Sequence, residues 1–358
     1  MEIEIVKGQA PTNWDSFLNI AGPETNLLQS SYWASIINKL DSAIPYFIIK
    51  KNSSTIGQAL ILKRYPFNRA KNKRVFPLPY LECYDGPVIS EQTTAPYFIE
   101  EIIKTALNLA RHSFATHIVF TPAHTSRWTS DEAIGQLYSK YGFLVSKLGS
   151  YLVNVTMSEE DLFKSFKPAA RKCIKKCHRL DLQVTKMRTF EEFKTMYWKT
   201  YMNSERYFER KAKTCSSIPW EEDWEGYYHY YVVKDSNKNE ILACLGMYIF
   251  NGVATEVASS ISPVAYQNKL PAQDLLHWKM MLEAKRMGCH TFDLAGVNPS
   301  PVTPKEIGIR RFKEKWGGRY VEYNRYKKDL WPAHFQKVAR FCYQKTKSVV
   351  FVISKIKV

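Results

Sequence analysis

The stretch Phe292-Asp-Leu-Ala-Gly296, followed by Gly308-Ile-Arg-Arg-Phe-Lys-Glu-Lys-Trp-Gly-Gly318, decides the fold. Its first part ends a buried-type strand at 290–295, and its second lies on a helix near 306–316. Arg319 to Lys327 then reads as a strand. Gly317 and Gly318 are placed to release the backbone from the helix into that strand. Phe312 and Trp316 read as core or as the wall of a cleft.

Outward from this stretch, strands and helices alternate. Strands near 227–234, 240–250 and 253–259 precede a helix from 271 to 287. In the first half, strands near 44–51 and 58–66 precede a helix from 95 to 112, a strand at 117–121 and a helix near 131–141. Such alternation builds α/β layers. Ile103-Lys-Thr-Ala-Leu-Asn-Leu-Ala-Arg-His leads into Thr116-His-Ile-Val-Phe120 much as Trp278-Lys-Met-Met-Leu-Glu-Ala-Lys-Arg leads into Thr291-Phe-Asp-Leu294. Each is a helix with apolar residues three and four apart, a short loop and a buried-type strand, so the halves are expected to share a plan. A length of 358 residues suits two domains of ordinary size.

Lys and Arg number 51 against 34 Asp and Glu, a net charge of +17. That balance favours polyanionic partners such as RNA, pyrophosphate-linked carriers or an anionic membrane surface, with plain solubility as the alternative. Between the halves, Pro168 suits the first turn of a helix whose face Arg171, Lys172, Lys175, Lys176 and Arg179 is densely basic. The seven cysteines show no paired spacing, which points to a reducing cytosol rather than a disulfide framework. Cys173 and Cys177 lie one helical turn apart, but His178 points to another face and no second ligand pair follows, so no metal site is expected.

Met1-Glu2-Ile3-Glu4-Ile5-Val6 alternates like a strand and lacks the pattern of a signal peptide. No apolar run approaches the roughly 20 residues that span a bilayer. The segment from Trp331 to Val358 reads as a basic amphipathic helix, which would either pack on the protein or lie on an anionic membrane. A cytoplasmic protein, in the second case peripheral at the inner face of the membrane, is the expectation.

No GxxxxGK[ST], GxGxxG, HExxH or GxSxG pattern is present, so nucleotide hydrolysis, dinucleotide redox, zinc proteolysis and serine hydrolysis lack their usual tools. Acetyltransferases of the GNAT type bind the coenzyme A pyrophosphate on a [QR]xxGx[GA] turn at a helix start. The corresponding place reads Gln267-Asn-Lys-Leu270-Pro-Ala272. Leucine adds bulk where phosphate would sit, and proline removes a donor.

Four stretches together resemble the Fem family, aminoacyltransferases that use aminoacyl-tRNA to extend the peptide of lipid-linked or nucleotide-linked peptidoglycan precursors. They are Leu28-Gln-Ser-Ser-Tyr-Trp33, Asp85-Gly-Pro-Val88 (where the family has Arg in place of Asp85), Ala170-Arg-Lys-Cys-Ile-Lys-Lys, and the opening stretch with its Phe-Lys-x-x-Trp-Gly-Gly ending. The resemblance implies two tandem GNAT-like domains of mixed α/β sheet. The first would span 1–150, with 320–358 returning to it, and the second 151–319.

By the same resemblance Lys313, close to the backbone of Phe312, would stabilise the transition state. Arg206 and Tyr207 would bind the phosphates and sugar of the precursor, and Lys39 would stand for a first-domain lysine. Asp293 would orient the substrate amine or cap the following turn. Arg171, Lys172, Lys175 and Lys176 would contact tRNA phosphates or form a solvated face. The implied partners are charged tRNA and a peptidoglycan precursor, without DNA. No cofactor is expected beyond aminoacyl-tRNA as co-substrate, or acyl-coenzyme A if the chain instead N-acylates an amino sugar or similar amine. A non-catalytic RNA- or membrane-binding module is the remaining expectation.

Overall fold

Asn251 and Gly252 both take left-handed backbone, φ 45° and 74°, and so reverse the chain within two residues between the strands Glu240–Phe250 and Val253–Ile261. Around this hairpin and a counterpart nearer the N-terminus the chain builds two units. The computed structural model describes residues 2–21, 26–51, 55–65, 78–90, 95–126, 128, 131–188, 192, 226–238 and 240–331. The first unit takes Met1–Phe17, Leu28–Ser146 and the described part of Asn324–Val358; the second takes Leu18–Leu27 and Lys147–Tyr323. Leu18–Leu27 thus belongs with the second unit although the segments on either side of it in sequence belong to the first.

In chain order the first unit begins with β1 (Glu2–Lys7), α1 (Trp14–Ala21), which continues into the second unit, and α2 (Ser31–Asp41). Next come β2 (Ile44–Lys51), β3 (Thr55–Arg64), β4 (Tyr80–Tyr84), β5 (Val88–Ile89), α3 (Ala95–Ser113), β6 (His117–Thr121) and α4 (Glu132–Lys140). Its sheet runs β1-β2-β3-β4-β6, with β5 beside β3. Among the described residues of this unit only β4 and β6 pair in parallel, Leu81 to Tyr84 against Ile118 to Thr121, and α3 is the crossover that parallel pairing requires. α3 buries Ala95, Phe98, Ile99, Ile102, Ile103, Ala106 and Ala110, the three-and-four spacing of one helical face. Phe98 lies so close to β3 that a Cβ on Gly57 would come within 2.6 Å of its ring.

Two of the resemblance motifs meet here. The Gln29 side chain accepts from Leu60 N at 2.8 Å and donates to Tyr84 O at 2.5 Å, tying β3 to the end of β4. Gly86 backs onto the same amide, and a Cβ there would lie 2.5 Å from Gln29 Cδ. Ser30 caps α2, its Oγ accepting from Trp33 N at 3.0 Å.

The second unit contains β7 (Leu144–Asn154, which starts in the first), α5 (Glu159–Ser165), α6 (Pro168–Cys177), β8 (Leu182–Lys186), β9 (Tyr228–Asp235), β10 (Glu240–Phe250) and β11 (Val253–Ile261). α7 (Pro263–Gln267), α8 (Ala272–Arg286), β12 (Thr291–Asp293), α9 (Pro304–Glu314) and β13 (Arg319–Asp329) complete it, and β13 carries the chain back into the first unit. Its sheet runs β7-β12-β11-β10-β9-β8. Again one pair is parallel, β11 with β12, and again the helix between them, α8, is the crossover. The two helix-loop-strand segments matched in the sequence are the α3–β6 and α8–β12 units, so the plan is used twice.

Both glycines after α9 are required. Gly317 has φ +68°, and a methyl there would drive into the Ser165 carbonyl, while a Cβ on Gly318 would lie 3.0 Å from the Leu152 backbone. Among the described residues no helix is long and apolar enough to cross a membrane. The basic helix expected beyond Trp331 lies outside the described residues.

Candidate functional site

β11 and β12 pair over three rungs only, Val253 with Thr291, Ala254 with Phe292 and Thr255 with Asp293. β12 then stops and the chain leaves as a loop, while β11 continues from Glu256 to Ile261. The strands therefore part immediately after Asp293, and chemistry-bearing side chains gather at the parting.

The loop is fixed in place from α9. Helical period puts Glu306, Arg310 and Lys313 on one face, and all three grip it. Glu306 accepts from Asn298 Nδ2 at 2.9 Å, Val302 N at 3.2 Å and Thr303 N at 3.0 Å, the last as part of a capping box. These bonds, that from Asn298 foremost, hold its carboxyl down at about 2. Arg310 donates to Pro299 O at 2.5 Å. Lys313 Nζ donates to the carbonyls of Leu294, Ala295 (3.2 Å) and Gly296 (3.1 Å). An ammonium has three hydrogens to donate, and three carbonyls receive them. Asp293 closes the other end: its Oδ1 accepts from Ala295 N at 2.8 Å and from Ser150 Oγ, a cap on the turn. Ala295 takes φ +57° within this grip.

The neighbouring face of α9, with the residues just past its end, packs inward. Ile309 and Phe312 are half-buried against the core and Trp316 is fully buried. Phe312 meets the His277 ring edge-on at 4.9 Å, and Trp316 stacks on it at 5.6 Å.

His277 belongs to α8, whose sides are nearly all covered: Ala272, Leu275, Leu276, Trp278, Met280, Met281 and Ala284 are buried, and so are Asp274 and His277. Polar groups inside such a helix need partners, since an unsatisfied one costs roughly 1–3 kcal/mol. Asp274 pairs with Lys315 at 2.5 Å. His277 Nδ1 lies 2.8 Å from Gln273 O and Nε2 lies 3.2 Å from Glu256 Oε2. Sequence reasoning did not single out Glu256 or His277. The signal available was a histidine and an aspartate inside an otherwise apolar helix; the partners, across the sheet and on α9, carried none.

The start of α8 differs from a phosphate cradle. Lys176 Nζ reaches Lys269 O at 3.3 Å and Cys177 Sγ reaches Pro271 O at 3.3 Å, so α6 covers the turn, and Asp274 adds a carboxylate to the first helical turn. Burial pushes the Cys177 thiol up to about 12, and Cys173 is likewise raised by burial.

The remaining expected residues are dispersed. On α6, Arg171 donates to Lys164 O at 3.2 Å and Lys176 is engaged as above, while Lys172 and Lys175 are exposed. Lys39 is exposed in the last turn of α2, in the first unit. Arg206 and Tyr207 lie outside the described residues.

Residues 230–324 match the model of the FemAB family. No curated protein sequence is matched. Among solved structures, the crystal structure of FemX is similar over 94% of this chain and 100% of its own, at TM-score 0.68 and 14% identity. The L-PGS of Bacillus licheniformis is similar over 89% and 92% at TM-score 0.52 and 15% identity. A tandem GNAT protein from the clavulanic acid biosynthesis pathway is similar over 92% and 98% at TM-score 0.53 and 9% identity. The fold is thus a tandem GNAT-like one of mixed α/β sheet, and the segment that matches the FemAB family model contains β11, α8, the parting of the strands and α9.

Proposed function

We propose that the chain is an aminoacyltransferase that moves an aminoacyl group from aminoacyl-tRNA to an amine of a peptidoglycan precursor. The observation that carries this is the parting of β11 and β12, built from the segment that matches the FemAB model. The amine and the activated ester meet there, in a place rigid enough to hold them at reacting distance. Asp293 and the α9 face of Glu306, Arg310 and Lys313 fix the loop that forms one wall; Phe312 forms the other with His277 behind it. In this reading Lys313 is a positioning residue: its charge orders three carbonyls beside the reacting groups rather than reaching the oxyanion itself.

An aminoacyl-tRNA donor is favoured over acyl-coenzyme A because α6 and Asp274 crowd the helix start where a pyrophosphate would bind. Arg171, Lys172, Lys175 and Lys176 of α6 are the cations proposed to meet tRNA phosphates, and Lys39, Arg206 and Tyr207 are proposed for the precursor. The test supplies total tRNA charged with radiolabelled amino acids and both nucleotide-linked and lipid-linked muropeptides. Label in a muropeptide supports the proposal; label in none of them, with active protein and intact charged tRNA, removes it.

A further inference from the structure

α8 turns a second face away from the parting of the strands. At 3.6 residues per turn, Leu275, Lys279, Leu282 and Arg286 share one side of the helix, and His277 projects roughly 200° around from Leu275. The side bearing Leu275 borders an open groove of about 1000 Å³, whose other wall is β8 and whose ends are the C-terminus of α6 and the start of α5. Its aliphatic lining is Leu180, Leu182, Val184, Leu275 and Leu282, and all but Leu275 are only half-buried.

The two walls change character in the same direction. Along β8 the side chains on the α8 side run Leu182, Val184, Lys186, and along α8 they run Leu275, Leu282, Arg286, with the exposed Lys279 between. Leu275 stands at the α6 end, where Cys177 Sγ donates to Pro271 O at 3.3 Å. Lys186 and Arg286 come together at the other end: Lys186 pairs in register with Tyr231 of β9, and the charges of Glu283 and Arg286 reach the Tyr231 hydroxyl. Each wall thus passes from aliphatic to cationic, over about 16 Å of helix between Leu275 and Arg286.

At the cationic end the charged lining residues are Lys186, Lys285 and Arg286 with Glu159 and Glu283. Arg286 pairs with Glu283 at 2.5 Å, and Lys285 is held by the Thr156 and Met157 carbonyls just before Glu159. Three cations against two carboxylates leave one positive charge. The Tyr231 hydroxyl is buried here beside Glu283 but outside hydrogen-bond geometry with any described residue. Burial first, and Glu283 second, hold it above the usual phenol range, so it remains a donor.

We infer that this groove is a binding site for a fatty acid, a single aliphatic chain ending in one carboxylate. The chain lies along the aliphatic row and covers apolar surface that is otherwise wet. The carboxylate sits at the far end, accepting from the Tyr231 hydroxyl with one oxygen and facing Lys186 with the other. A monoanion matches the single surplus positive charge, whereas a phosphate monoester carries more. The site is independent of the acyl-transfer reading, because none of its residues belongs to the parting of β11 and β12.

The test is isothermal titration of the full-length protein, stripped of bound lipid, with decanoate below its micelle concentration. One-to-one binding is expected. Octanoate, two methylenes shorter, should bind about fivefold more weakly; decanol, which lacks the charge, and acetate, which lacks the chain, should each bind at least about tenfold more weakly. Leu282→Gln should weaken decanoate and decanol alike. Lys186→Glu and Tyr231→Phe should weaken decanoate about fivefold while sparing decanol, and Lys305→Glu, the same charge change on α9, should leave both unchanged, with Tm checked for each variant. No saturable binding of decanoate by the wild type overturns the inference, as does binding that Lys186→Glu and Leu282→Gln leave intact. Binding of decyl phosphate with decanoate inert would give the groove to a phosphate-headed lipid. Capture by phosphatidylglycerol vesicles without binding of any monomer would make it a membrane-facing surface, and either result removes the fatty acid.

Discussion

Gln29 and Lys313 are motif residues whose side chains bond backbone groups. The Gln29 amide completes the bonding of Leu60 N and Tyr84 O in a site where it is itself fully buried. Gln29→Ala leaves both backbone groups without that partner, and we predict a loss of about 2–4 kcal/mol in urea unfolding with the m-value unchanged. Lys313 does the same for the Leu294–Gly296 loop through charge. Lys313→Met is expected to speed amide hydrogen exchange at Val297, which bonds Gly149 O at 2.7 Å, before it alters global stability. Unchanged exchange there would show that the ammonium does not hold the loop. Gly317→Ala meets both a left-handed φ and the Ser165 carbonyl, so a drop in Tm corresponding to more than about 1 kcal/mol is expected.

At the scale of elements, α9 is the part that joins fold to chemistry, because one face grips the loop and the other packs on His277. Its capping box makes the helix acid-sensitive. Glu306 has its carboxyl lowered from 4.5 to about 2 by its hydrogen bonds. A depressed carboxyl stabilises the fold fully above its unfolded value and loses that contribution as pH falls through the folded one, so the window is pH 4.5 down to about 2. Glu306→Gln should flatten the fall of stability across that window, measured as Tm against pH; an unchanged slope would contradict the assignment.

Long elements with complete periodicity could be read from the sequence: α3 and α8 lie within a residue or so of expectation, since burial of their apolar positions coincides with helical spacing. β4 could not, because Tyr80–Tyr84 is short and its central Glu82 is buried against Arg64 at 2.6 Å, a pairing that local pattern does not announce. β7 was hidden differently: its first residues are exposed and its later ones buried, so no single alternation runs through it. The Phe312-Lys313 motif was legible as a helix leading through two glycines into a strand, but the division of α9 into a gripping face and a packing face required the loop and α8 to be present. The Glu256–His277 contact spans two elements 21 residues apart in sequence, beyond any local signal.

At the scale of the whole molecule, each unit repeats one device, an antiparallel meander joined by a crossover helix to a parallel strand, and the second unit adds α9 to it. The net charge of +17 suits a large anionic co-substrate, and an aminoacyl-tRNA donor makes a salt-dependent association the expectation. The donor is where the account stands or falls, so the measurement is label transfer to muropeptide from charged tRNA, run with prior RNase treatment and, separately, with excess free coenzyme A. The account predicts that RNase abolishes transfer and that coenzyme A leaves it unchanged. Product formed from acyl-coenzyme A, insensitive to RNase, would contradict it.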